Sequence, residues 1–93
     1  MTAAARICIT FYKPGLYEWA VLFDQVKLAS DIGDTSISEC LASAGSLLPD
    51  DQESVEISYR GVPVGSFTSF AVQEVPDYVA GQVIAGYAVE QNS

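Results

Sequence analysis

The chain has 93 residues, about half of them apolar, and sets 12 Asp and Glu against 4 Lys and Arg, a net charge of −8. That length predicts one domain, residues 1–93, and the apolar share predicts a packed core instead of disorder. Direct nucleic-acid binding and anionic membrane surfaces are disfavoured, because both rely on clustered cations, whereas Arg6, Lys13, Lys27 and Arg60 lie scattered along the chain.

The first predicted element is a strand over 6–12, "RICITFY", in which Ile7, Ile9 and Phe11 alternate with Cys8, Thr10 and Tyr12. "KPG" then reads as a turn, with Pro14 fixing φ and Gly15 free to take positive φ. "LYEWAVLF" follows as the returning strand, with Tyr17, Trp19, Val21 and Phe23 on one face. "DQVKLASDIGD" reads as a polar connector. The clearest helix covers 36–48. Ser36 and Glu39 have capping-box spacing, Ile37, Cys40, Leu41, Ala44, Leu47 and Leu48 share one side, and Pro49 stops the run.

The second half opens with "SVEISYR", where Val55, Ile57 and Tyr59 alternate with Glu56, Ser58 and Arg60. "GVPVG" reads as a turn and "SFTSFAV" as the returning strand. "VPDYVAGQVIAGYAVEQ" begins with Pro76, well suited to a first helical position, although "QVIAGYAV" also suits a strand. The predicted fold is therefore α+β: a four-stranded, mainly antiparallel sheet with two helices on one face, in the order ββαββα. An offset of 48 residues sets Ile9 on Ile57 and Phe11 on Tyr59, which raises the idea of an internal duplication.

Catalytic chemistry finds little to work with. The chain has no histidine, the commonest general base and zinc ligand. Cys8 and Cys40 stand far apart without a CxxC, and they read as small buried hydrophobes in a reducing, cytoplasmic setting. "GVPVGS" is no phosphate cradle, and the serines near 43–46 lack a base. No cofactor is expected, and the chain is not expected to be an enzyme. Trp19 reads as core, whereas Tyr12, Tyr17, Tyr78 and Tyr87 suit either packing or a polar-rimmed interface.

The charge pattern is more informative. "PDDQESVE", residues 49–56, holds Asp50, Asp51, Glu53 and Glu56 without a cation, and without the spacing or glycine of a calcium loop. Asp31 and Asp34 add to this set from the connector before the first helix. These six residues form the predicted partner-binding surface, directed at the Lys- and Arg-lined grooves in which nucleic-acid enzymes hold substrate.

In size and charge the chain resembles the small acidic inhibitors encoded by phages and mobile elements, the anti-CRISPR proteins and DNA mimics. That resemblance implies a stoichiometric inhibitor of a basic protein or nucleoprotein complex. The competing expectation is a homo-oligomeric ligand-binding or regulatory module that uses an apolar sheet face.

Overall fold

The alternation of Ile7 and Ile9 with exposed neighbours has its counterpart in β1 (Ala5–Lys13), where Ala5, Ile7 and Ile9 are buried and Arg6 and Thr10 are exposed. A computed structural model of the chain describes residues 5–24, 26–49 and 51–91. β1 turns through Gly15 (φ 81°) into β2 (Leu16–Phe23), and the antiparallel register sets Ile7 opposite Val21 and Ile9 opposite Trp19. Both members of each pair face the core.

The expected polar connector is instead a third strand, β3 (Val26–Asp34), antiparallel to β2 and at the edge of the sheet. Sequence periodicity misses it for a physical reason. An edge strand that the helical layer only partly covers has little burial to record, and Ala29 is its one apolar residue packed against the core, while Val26, Leu28 and Ile32 are exposed. Two register shifts further blur its alternation.

α1 (Ile37–Gly45) begins where its cap predicts: the Ser36 hydroxyl accepts from the Glu39 N–H at 3.1 Å. The Glu39 carboxylate does not complete the box by the bonds seen here, but accepts from the Thr35 hydroxyl. The helix stops three residues early, in i→i+3 turns from Leu47 N–H to Ala44 O and from Leu48 N–H to Gly45 O. Leu48 stays buried, but Leu47 swings out to 42% exposure, off the inner face.

β4 (Ser54–Tyr59) buries Val55, Ile57 and Tyr59 as its alternation predicts, and runs parallel to β1 with Ile7 beside Ile57 and Ile9 beside Tyr59. The β4–β5 turn sits at Arg60 and Gly61, both at positive φ (54° and 82°), as a two-residue type I′ hairpin requires. "GVPVG" is therefore mostly strand. Val62, Pro63 and Val64 belong to β5 (Val62–Thr68), an edge strand where the missing proline N–H costs no ladder bond.

Residues 69–72, expected to finish that strand, start α2 (Ser69–Glu74) instead, because the Thr68 hydroxyl accepts from the Ala71 N–H and caps a helical turn. α3 (Pro76–Gln91) starts at Pro76, and the helical reading of 76–90 holds over the strand alternative. Among the described residues the fold is thus α+β with a five-stranded mixed sheet, β3-β2-β1-β4-β5, and three helices, in place of the expected four strands and two helices.

The helices share one face of the sheet: α1 packs on β1, β2 and β3, and α3 on β4 and β5. Leu41 and Val83 meet the odd-numbered residues of β1 in one core, as expected. α3 comes closest to β5 at Gly86, where a Cβ would lie 3.1 Å from Val64 O. The topology also removes the suggested duplication as a structural relation. With strand direction and covered face held fixed, β2 lies on one side of β1 and β5 on the opposite side of β4. No rotation superposes two such hairpins together with their helices, so the 48-residue match reflects a shared period of two.

Leu41 is fully buried at the centre of this layer. Leu41→Ala should lower unfolding free energy by about 2–5 kcal/mol in denaturant melts, through the cavity it leaves. A loss below about 0.5 kcal/mol, the range of ordinary surface substitutions, would show that α1 does not pack here.

Candidate partner-binding surface

The two thiols occupy different environments and are both free. Cys8 is half-buried on the uncovered face of the sheet, level with Ala20 and Ser58. Cys40 is fully buried on the inner face of α1, and its pKa is pushed up to about 12, first by burial and then by the charge and hydrogen bond of Asp34, with Glu39 adding to the shift. A thiol held in this way is a poor nucleophile at neutral pH. Among the described residues no three or more Cys, Asp or Glu gather as metal ligands, and no helix is long and apolar enough to cross a membrane.

The aromatic residues divide between the two roles considered for them. Trp19 is buried. Tyr17 packs edge-on to Phe11 at 5.5 Å and Tyr87 edge-on to Tyr59 at 5.0 Å, while the Arg60 guanidinium lies 5.0 Å and 5.5 Å from the ring centres of Phe11 and Tyr87. This group closes one end of the core. Tyr12 and Tyr78 are exposed, and the Tyr12 hydroxyl donates to Glu18 at 3.1 Å.

The predicted acidic surface is not one patch. Asp31 and Asp34 lie on β3, not in a connector. Asp31 is exposed and accepts from the Ile32 N–H at 2.8 Å. Asp34 is half-buried opposite Tyr17, with a buried Oδ2 that has no hydrogen-bond partner. Asp51 and Glu53 are exposed in the loop between α1 and β4, at the other end of the strands. From the register, the two pairs are separated by roughly 20 Å or more along the strands and roughly 14 Å across them. Glu56 lies within β4 on the uncovered face, where it meets Arg6 at 3.4 Å in a half-exposed ion pair. Such a pair contributes about 0–1 kcal/mol. Asp50 falls outside the described residues.

What the structure adds is a groove beside the acidic loop. Pro49, Asp51, Gln52 and Glu53 form one wall, and Ser69, Phe70 and Gln73 of α2 form the other, around an open volume of about 590 Å³. The walls are held by part-buried polar bonds. Gln52 Nε2 donates to Ser54 O at 2.7 Å, Gln73 Nε2 donates to Gly45 O at 2.9 Å, and Ser69 N–H donates to Glu53 O at 3.1 Å. Phe70 stands 71% exposed at the rim, while Ser69 is 4% exposed with a buried Oγ that has no hydrogen-bond partner.

Ser69 and Phe70 lie in the segment 66–72, whose composition predicts a strand, and Gln73 follows it, so this wall is not legible from composition. The available signal was Thr68, a cap residue ahead of a short run that ends at Pro76. Compared with known proteins, the chain matches no family model, no curated protein and no solved structure.

The raised pKa of Cys40 has a readout. Its proton is held more tightly in the folded chain, so its contribution to stability is complete below the ordinary value of 9.0 and lost as pH climbs towards about 12. Cys40→Ala should flatten the alkaline decline of unfolding free energy above that value. Part of the slope should persist from Tyr59, whose phenol is also raised, chiefly by burial. An unchanged slope in Cys40→Ala would show that the thiol titrates as it does in water.

Proposed function

We propose that this chain is a non-catalytic acidic binding protein, a stoichiometric inhibitor that docks on a basic nucleic-acid-binding surface of a protein complex, in the manner of anti-CRISPR proteins and DNA mimics. The supporting observation is the outward placement of its acids. Asp31, Glu39, Asp51, Glu53, Glu74 and Asp77 are exposed, and Glu56 meets Arg6 in a half-exposed ion pair. A field of this kind attracts Lys- and Arg-lined grooves and accelerates encounter with them. Such a partner, together with two free thiols, fits a reducing, cytoplasmic setting.

A second reading, the homo-oligomeric module, draws more support from α3 than from the sheet. The uncovered sheet face is mixed, with Arg6, Thr10, Glu18, Lys27 and Glu56 set among Cys8, Ala20, Leu22 and Ile32. α3 instead exposes Tyr78, Ile84 and Val89 on its outer side. A surface helix ordinarily turns a polar face to water.

The purified chain should bind basic nucleic-acid-binding complexes one to one, with an affinity that falls steeply as salt is raised, because screening shortens the reach of each charge pair. Binding insensitive to salt, or none to any basic complex, would sink the inhibitor reading. Sedimentation equilibrium separates the alternative: a dimer that Ile84→Lys converts to monomer would favour the oligomeric module.

A further inference from the structure

The groove between the 49–53 loop and α2 has an unusual balance of hydrogen-bonding groups. Several of its donors are committed inward. The Ser69 and Ala71 N–H groups are bonded to Glu53 O and the Thr68 hydroxyl, and the side-chain amides of Gln52 and Gln73 donate to Ser54 O and Gly45 O. What lines the opening is acceptor-rich: the exposed carboxylates of Asp51 and Glu53, with the unpartnered hydroxyl of Ser69 in the wall. An anion entering here would meet two negative charges and few donors.

Ser69 is the more telling residue. A buried hydroxyl without a partner costs free energy that a small structural change would recover. One bond rotation carries a serine oxygen among three staggered positions, so an incoming donor can be met without backbone movement. Phe70, one residue on, holds a largely exposed ring at the same rim, accessible to whatever enters the groove.

We infer that this groove receives an arginine side chain of the basic partner protein, an inference that rests on the docking function proposed above. The guanidinium is planar, permanently charged and carries five N–H donors in a fixed fork. It matches two carboxylates and a hydroxyl acceptor, and its flat face stacks on an aromatic ring such as Phe70. A lysine ammonium answers the charge but neither the fork nor the ring. The groove therefore supplies side-chain selectivity to an attraction that is otherwise long-ranged and diffuse.

The test titrates the ¹⁵N-labelled full chain with a hepta-arginine peptide and, separately, with hepta-lysine. Amide shifts should concentrate at residues 51–53 and 69–73, and the arginine peptide should bind more tightly than the lysine peptide. Phe70→Ala should weaken arginine binding about three- to fivefold, the scale of an exposed cation–π contact, and bring the two peptides closer together. Ser69→Ala removes a hydroxyl that bonds nothing in the free chain, so it should also weaken arginine binding while leaving the melting temperature unchanged or raised. The double variant Asp31→Asn, Asp34→Asn should leave the 51–53 and 69–73 shifts in place.

Equal affinity for both peptides, with shifts spread over all the acids, would overturn the groove while leaving the acidic docking function standing. No binding of either peptide at low salt would overturn both.

Discussion

β1 and β4 lie side by side in the same direction at the centre of the sheet, with Ile7 beside Ile57 and Ile9 beside Tyr59. A parallel pair cannot be joined by a tight turn and needs a crossover connection. The chain meets that requirement with two hairpin turns, which leave β3 running the same way as β1, and with α1, which carries it back across the covered face to the start of β4. The helical layer, the edge position of β3 and the long 46–53 connection are consequences of that one pairing. So is the groove, because α2 can lie along the connection only where β5, the strand beside β4, ends.

Charge is distributed to suit this frame. The covered face of the sheet holds Ile, Val, Trp and Tyr, and the carboxylates are left to loops, helix ends, edges and the uncovered face. Asp34 is the exception. It comes in beside Cys40 with one oxygen buried and unpartnered, and its charge helps raise the thiol's pKa. A net charge of −8 on so small a body opposes compaction through self-repulsion. The core must therefore be continuous, and it runs through both halves of the sheet and all three helices, from Ile7 to Val83.

Elements that face the core on a regular period were legible in the sequence. Ile7, Ile9, Val55 and Ile57 announce their strands, Ser36 announces α1 and Pro76 announces α3. β3 was not legible, because Val26, Leu28 and Ile32 are exposed on a bulged edge and record no inside and outside. α2 was hidden for the opposite reason: "SFTSFAV" has the β-branched and aromatic composition of a strand, and a single cap at Thr68 overrules it. The acids were legible as charge, but not as geometry. Asp31 and Asp34 sit at one end of the sheet and Asp51 and Glu53 at the other, and only the fold brings Phe70 and Ser69 to the second pair.

Both outer strands carry interruptions. β3 shifts register near Leu28 and again near Gly33, and it bears Lys27. β5 contains Pro63, and its register shifts between Ile57 and Ser58 on its partner, next to Gly65 at φ 140°. A foreign strand laid along either side would meet a missing N–H or a twisted ladder after a few residues. Extension of the sheet by backbone pairing is therefore blocked at both margins, for a partner's peptide and for another copy of the chain alike. The exposed apolar side chains on β3 are thereby guarded against fibril-like pairing, and strand addition by a foreign peptide is disfavoured at either edge.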